Sequence, residues 1–178
     1  AGVPTELPVV GQVMPTPFAG ETLRPGDQIL AVNGIETPDL ATFRTVSSDL
    51  PPATTVTYRV DRDGAAIDVT GPHPYLPLVG SVHPQNAAMA AGIEAGDVVL
   101  SAGGTPVMAF SQLPEIVEAT QGQPIAMSIW RAGVVKDLTL TPNRRDIPKA
   151  DSTFETRWLI GLTGGSFIQP ETRRAGPI

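Results

Sequence analysis

The 178 residues contain no cysteine. No disulfide can staple the fold, and no thiolate can act as nucleophile or metal ligand. Histidine occurs only twice, at His73 and His83, ten positions apart and each followed by proline. A zinc-binding His-Glu-x-x-His helix cannot be built from such a pair, because proline breaks a helix at each of them, and both are expected to be ordinary linker and turn residues. Long apolar runs are also missing. None approaches the roughly 18 residues of a membrane-spanning helix, and no signal-peptide pattern opens the chain. The first residue is alanine instead of methionine, so the sequence is expected to be an excised or processed piece whose anchor lies outside it. Basic residues are scarce: 12 against 18 acidic, a net charge of −6 and a pI near 4.8. Such a surface repels phosphate, which argues against nucleic acid and anionic membranes as main partners.

What is present is turn-forming residues and a repeat. Glycine (18) and proline (19) are abundant while aromatics make up only 5%, the composition of short elements joined by many turns. The 41% apolar content is that of a packed chain. Residues 25–34 read PGDQILAVNG and residues 95–104 read AGDVVLSAGG. The match extends from 8–38 over 77–106, with Gly11 above Gly80 and Gly26 above Gly96, and from 58–70 over 127–139. Two copies of about 70 residues are too few for a solenoid. Each is long enough to be a small domain.

Within each copy the periodicity is mainly that of strands. Ile29, Leu30 and Val32, like Val98, Val99 and Leu100, form short β-rich runs bounded by turn residues. Positions 54–62 alternate, with Val56, Tyr58 and Val60 on one face, and Asp63-Gly64 supplies the positive φ angles of a tight hairpin that Ala132-Gly133 repeats. Thr37-Pro38 predicts a capped helix start, followed by Leu40, Phe43 and Val46 at helical spacing. Its counterpart is 109–119, with Phe110, Leu113, Ile116 and Val117. A shorter helix is predicted over 86–91, ended by Gly92, and a fainter one near 18–22. Sheets capped by one long and one short helix per copy make an α+β chain.

These residues resemble a known family. The stretch NAAMAAGIEAGDVVLSAGGTPV (86–107) is similar to the PDZ-domain signature, and the tandem layout with GVP…PVVG (2–11) and VNGIETPD (32–39) resembles the periplasmic PDZ pair of RseP-type site-2 proteases. The resemblance implies two PDZ-like domains, circularly permuted, so that the strand flanking the peptide groove comes last. The domains are expected at 1–72 and 73–170, the latter including a closing strand over 157–165, with 171–178 as a tail. The resemblance further implies that Trp158, Leu159, Ile160, Gly161 and Leu162 form one wall of a peptide-binding groove. Phe110, Leu113 and Val117 on the helix form the other. For the first copy only GPHPYLP (71–77) is available as a closing segment, and its prolines cannot donate to a ladder. Its groove is therefore expected to be incomplete, with Leu76 in the place of Ile160.

No catalytic residues are expected in this chain, and no metal site. Ser111 lacks a Gly-x-Ser-x-Gly elbow and any His/Asp partner; LTGGS (162–166) lacks the Gly-Lys-Ser/Thr of a phosphate loop; Asp61 and Asp63 sit at a solvated hairpin tip. Arg144-Arg145 and Arg173-Arg174 read either as solvated loop charge or as contacts to lipid headgroups or the rest of a parent protease. The resemblance implies a peptide-binding module in the periplasmic region of a bacterial inner-membrane protein. It would gate access, by size exclusion and by sensing a cut end, to a membrane-embedded metalloprotease whose zinc is held elsewhere. Its partners would be the rest of that protease and a membrane-anchored anti-sigma factor or a similar cleaved single-pass protein. The alternatives are the PDZ pair of an HtrA-like serine protease and a non-protease scaffold or secretion component.

Overall fold

The computed structural model describes residues 6–171. The chain runs through β1 (Val9–Val13), β2 (Gln28–Val32), β3 (Ile35–Glu36), α1 (Leu40–Asp49), β4 (Val56–Arg62) and β5 (Ala65–Gly71). It continues through β6 (Val79–Val82), α2 (Ala87–Ala91), β7 (Val98–Ala102), β8 (Thr105–Pro106), a 3-10 turn (Phe110–Gln112) and α3 (Leu113–Ala119). Then come β9 (Ile125–Arg131), β10 (Val134–Leu140), β11 (Asn143–Pro148), β12 (Phe154–Leu159), β13 (Leu162–Gly164) and β14 (Ile168–Glu171). Antiparallel sheets with few helices give the α+β class that the sequence predicts.

The chain divides into two units, though not at the expected boundaries. Pro77–Gly165 forms one, while the residues up to Leu76 join those from Ser166 onward to form the other. Residues 73–76 and 166–171 thus leave the expected second domain and tail for the first unit. The physical cause is β14, which pairs antiparallel with β1 (Val13↔Ile168, Gln12↔Gln169, Val10↔Pro170) and brings Phe167 into the first core with no exposed surface. Glu171, expected to begin the tail, is the last residue of this strand. Arg173 and Arg174 lie outside the described residues.

In the first unit the sheet order is β14-β1-β2-β4-β5. Val56, Tyr58 and Val60 face inward as the alternation predicts, while Thr57 and Arg59 face out. The hairpin turns carry the predicted positive φ at Asp63 (55°), Gly64, Ala132 (48°) and Gly133. The cap of α1 is a different residue from the one expected. Asp39, not Thr37, accepts the Thr42 amide at 2.7 Å, and the Thr37 hydroxyl is buried, donating to the Ile29 carbonyl. A carboxylate directly before the helix reaches its open amides better than a hydroxyl two residues earlier. No helix forms over 18–22, whereas α2 appears in the second unit and ends at Gly92 with φ 90°.

In the second unit β10-β9-β7-β8 form one sheet, β13 pairs with β6, and β11 pairs with β12 as a separate ribbon. Val99, Leu113, Val117, Ile125, Met127, Ile129 and Leu140 make its core. The predicted strand over 157–165 is broken: Arg157, Trp158 and Leu159 belong to the ribbon, and β13 starts only after Ile160-Gly161. Gly161 has φ 78°, which turns the chain out of the strand direction. The ribbon takes in Arg144 and Arg145, expected as loop charge; both are exposed, and Arg144 lies 3.3 Å from Asp146.

The register shows that the closing strands are true equivalents. Val82↔Leu162, Ser81↔Thr163 and Val79↔Gly164 repeat the first unit's pairs 69 positions later on the β1 side and six positions earlier on the β14 side. Both ladders shift register at the same glycine, Gly11 or Gly80. A side chain there would push into the partner strand: a Cβ on Gly11 would lie 2.9 Å from the Gln169 carbonyl oxygen, one on Gly80 3.0 Å from that of Gly164. That bulge is why both glycines stand in the repeat.

The repeated Gly-Asp serves the fold. Asp27 and Asp97 are almost wholly buried. Arg62 donates from Nε and Nη2 to the two Asp27 oxygens at 2.9 and 2.7 Å, and Arg131 does the same to Asp97 at 2.8 and 2.8 Å. Each aspartate also accepts a turn amide, from Arg24 or Glu94, and each arginine reaches a turn carbonyl, of Thr22 or Gly92. A bidentate pair ties the turn to the end of the long hairpin strand in each copy.

His73, expected as an ordinary linker residue, is buried in the first unit. The Tyr75 amide donates to its Nδ1 at 2.9 Å, so the proton sits on Nε2, 3.4 Å from the Leu50 carbonyl. Burial lowers its pKa from the ordinary 6.5, against a smaller opposing effect of the Leu50 and Pro51 carbonyls. The unfolded chain therefore takes up the proton at higher pH than the folded one. Stability should be level above about pH 6.5 and fall as the pH drops through the folded value. Hydrogen exchange of the β4 amides between pH 5 and 8 should show this slope, and His73→Asn, which retains an acceptor near Nδ1, should flatten it. An unchanged slope would remove His73 as its source.

Candidate functional site

All eight residues expected to form the groove line one cleft of about 180 Å³ in the second unit. The helical wall is Phe110, Leu113, Pro114 and Val117; the opposite wall is Trp158, Leu159, Ile160, Gly161 and Leu162. Leu113 and Val117 are chiefly core, at 2% and 4% exposure, so only their upper surfaces form the floor. Pro114, the residue that sequence reasoning missed, occupies the next helical position after Leu113.

Five contacts hold the second wall in place. The Ile160 carbonyl accepts the Ala88 amide at 2.8 Å and the Gly161 carbonyl accepts the His83 amide at 2.9 Å. A Cβ on Gly161 would strike the Asn86 side chain, so both its φ and its surroundings require glycine. Trp158 lies over Gly122, where a Cβ would come within 2.5 Å of the ring, and its amide donates to Glu118 Oε1 at 3.3 Å. With the carbonyls turned inward, the Ile160 and Gly161 amides donate to no protein group among the described residues. β13 is paired with β6 along one edge only. An apolar slot, an unpaired strand edge and two free amides are what an extended peptide with a terminal carboxylate needs.

The first unit has the corresponding cleft, of about 90 Å³. Leu40, Phe43 and Arg44 stand where Phe110, Leu113 and Pro114 stand; Ser166, Ile168 and Pro170 match Ile160, Leu162 and Gly164. The expectation of a missing edge strand is therefore corrected: β14 supplies it, and the counterpart of Ile160 is Ser166, not Leu76. The chemistry still differs. The Ser166 hydroxyl accepts the Ile168 amide at 3.2 Å, the buried Phe167 replaces Gly161, and Pro170 has no amide to offer.

The remaining candidates carry no reactive arrangement. Ser111 is exposed at the start of the helical segment, and residues 162–164 are strand and no phosphate cradle. Asp61 caps its own hairpin through the Gly64 amide. His83 is exposed, 2.8 Å from the Thr163 hydroxyl, while His73 is buried, and no group of three or more metal-ligating side chains occurs among the described residues. The donor set does not fit zinc.

PDZ-domain profiles match residues 5–71 and 78–131. The chain is 31% identical to a Vibrio cholerae protein described as a zinc metalloprotease, over 92% of the chain and 40% of that protein. It is 30% identical to the regulator of sigma-E protease RseP of Salmonella typhimurium, over 82% of the chain and 38% of the relative. Against RseP of Escherichia coli it is 28% identical over 81% and 38%. The chain thus spans about two-fifths of the length of the curated relatives it matches. Two sequence matches that fall on the two structural units show that this chain belongs to the PDZ-domain family, as two PDZ domains in tandem.

Proposed function

We propose that the second PDZ domain captures the free carboxyl end of an extended peptide whose last residue is apolar. We propose further that the pair gates substrate access to a site-2 zinc metalloprotease. The observation that carries the first statement is the pair of unengaged amides at Ile160 and Gly161, set at the mouth of an apolar slot and the end of an open strand edge. The peptide adds as a strand to β13, its carboxylate accepts from those amides, and its last side chain enters between Leu113, Val117 and Leu162. The names of the relatives support the second statement. The zinc and its ligands then belong to the remaining three-fifths of such a protein, and the PDZ pair lies on the periplasmic side of an inner membrane. Two folded domains exclude substrates with large intact ectodomains and admit a membrane-anchored protein, such as an anti-sigma factor, once a first cut exposes a new carboxyl end.

The test compares one hexapeptide ending in valine as the free acid and as the amide. The acid should bind with a Kd of roughly tens of micromolar or weaker, because little area is buried and the peptide is ordered on binding. Amidation should weaken it about tenfold or more by removing the charge-assisted hydrogen bonds. Trp158 lies in the cleft and reports binding by fluorescence. Equal affinity of the two peptides would remove the carboxyl end from the reading.

A further inference from the structure

We infer that the second domain's cleft holds only the last two residues of a peptide, because Phe110 closes it at Gly164. The inference rests on the cut-end reading and adds the length that is read. β13 has three residues, Leu162, Thr163 and Gly164. A peptide paired antiparallel to it, with its carboxylate at Ile160-Gly161, advances about 3.3 Å per residue. Its last residue lies beside Leu162 and its third from the end arrives at Gly164. The cleft-facing side of the strand is occupied there. A Cβ built on Gly164 would stand 3.1 Å from Cγ of Phe110 and 3.2 Å from both Cδ atoms, so the ring rests flat on the glycine and bridges strand and helix. The volume agrees. About 180 Å³ is below the roughly 300–1,000 Å³ of pockets that enclose drug-sized ligands, and suits a side chain and a short stretch of backbone.

The stop is a side-chain device on a fixed backbone. Gln112 Oε1 accepts the Met108 amide at 2.6 Å and the Ala109 amide at 3.0 Å, and Ala109 is 1% exposed. The segment before Phe110 is clamped, and only rotation of the ring can open the far end. Gly164 is the complementary element, because any larger residue would hold the ring off the strand. In the first domain Leu40 takes the position of Phe110 and Pro170 that of Gly164.

The test titrates the 178-residue chain with free-acid peptides of two, four and six residues sharing one apolar end, reading amide shifts and affinity together. In the wild type the Gly161 amide should shift and the Gly164 amide should not, with affinity rising less than twofold from two residues to six. In Phe110→Ala the Gly164 amide should also shift, and the same extension should gain about fivefold or more. Phe110→Leu, which places the first domain's residue here, should gain an intermediate amount and guards against poor folding of the alanine variant. Shifts at both Gly161 and Gly164 in the wild type, with equal length dependence in all three proteins, would overturn the two-residue limit while leaving the cut-end reading intact. Shifts at neither glycine would overturn both.

Discussion

Ile160→Asp should abolish binding of apolar-ended peptides, taking a Kd of roughly tens of micromolar beyond the millimolar range. The substitution sets a carboxylate beside the amides that receive the peptide's own carboxylate. Two like charges about 5 Å apart at an effective dielectric of about 20 repel by about 3 kcal/mol, or about a hundredfold in affinity. Ile160 also packs in part against the second core, so some loss of stability accompanies the charge. Ile160→Asn separates the two effects, since it has the same shape and no charge: it should fold like the aspartate variant and lose about a hundredfold less affinity. Binding by Ile160→Asp equal to that of Ile160→Asn would exclude a carboxylate at this end of the cleft. Ser166→Asp, at the equivalent position of the first domain, should leave peptide affinity within about twofold.

Arg62→Leu should destabilise the first domain by about 3–5 kcal/mol by leaving the Asp27 charge buried without its paired guanidinium. The Asp27 side chain is 2% exposed, and the Arg24 amide is then its one remaining hydrogen-bond donor among the described residues. Burial by itself raises the Asp27 carboxyl. Hydrogen bonds from the Arg62 side chain and the Arg24 amide, with the charges of both arginines, outweigh this and lower it below 3.8. A lowered folded pKa contributes stability that is complete above about pH 4 and is lost as the pH falls through the folded value. The gap between wild type and Arg62→Leu should therefore be widest near neutrality and narrow below pH 4. Arg62→Lys, which keeps the charge but not the fork, should fall between them, and Asp27→Leu/Arg62→Leu should recover much of the loss. Hydrogen exchange of the β4 amides reads all four proteins. A gap of the same size at pH 3 and pH 7 would show that the carboxylate charge is not what Arg62 compensates.

The residues that line the second cleft could be named from the sequence only through the family resemblance, which sets the helix and the closing strand as its two walls. Gly161 between two apolar residues and the spacing of Phe110, Leu113 and Val117 both survive as local patterns. The first groove was not legible. Its closing strand follows that of the second domain with only Gly165, Ser166 and Phe167 between them, so the nearer proline-rich segment is the natural but mistaken choice. Pro170 also hides the strand, since a single-sequence reading takes proline as a break. The repeated Gly-Asp was visible as a motif, yet its partners lie 34 and 35 positions downstream on the hairpin strand. Only the fold brings a buried carboxylate and an arginine that far apart into contact. His73 looked like a linker for the same reason: its burial depends on chain that is distant in sequence.

The most direct test of the account is a residue-by-residue amide titration of the 178-residue chain with a free-acid, valine-ended hexapeptide. Perturbations should centre on Ile160, Gly161 and Leu162 and on the facing helix around Leu113 and Val117, and the amidated peptide should produce them only at much higher concentration. Perturbations confined to residues 8–50 and 166–171, or equal for acid and amide, would contradict it.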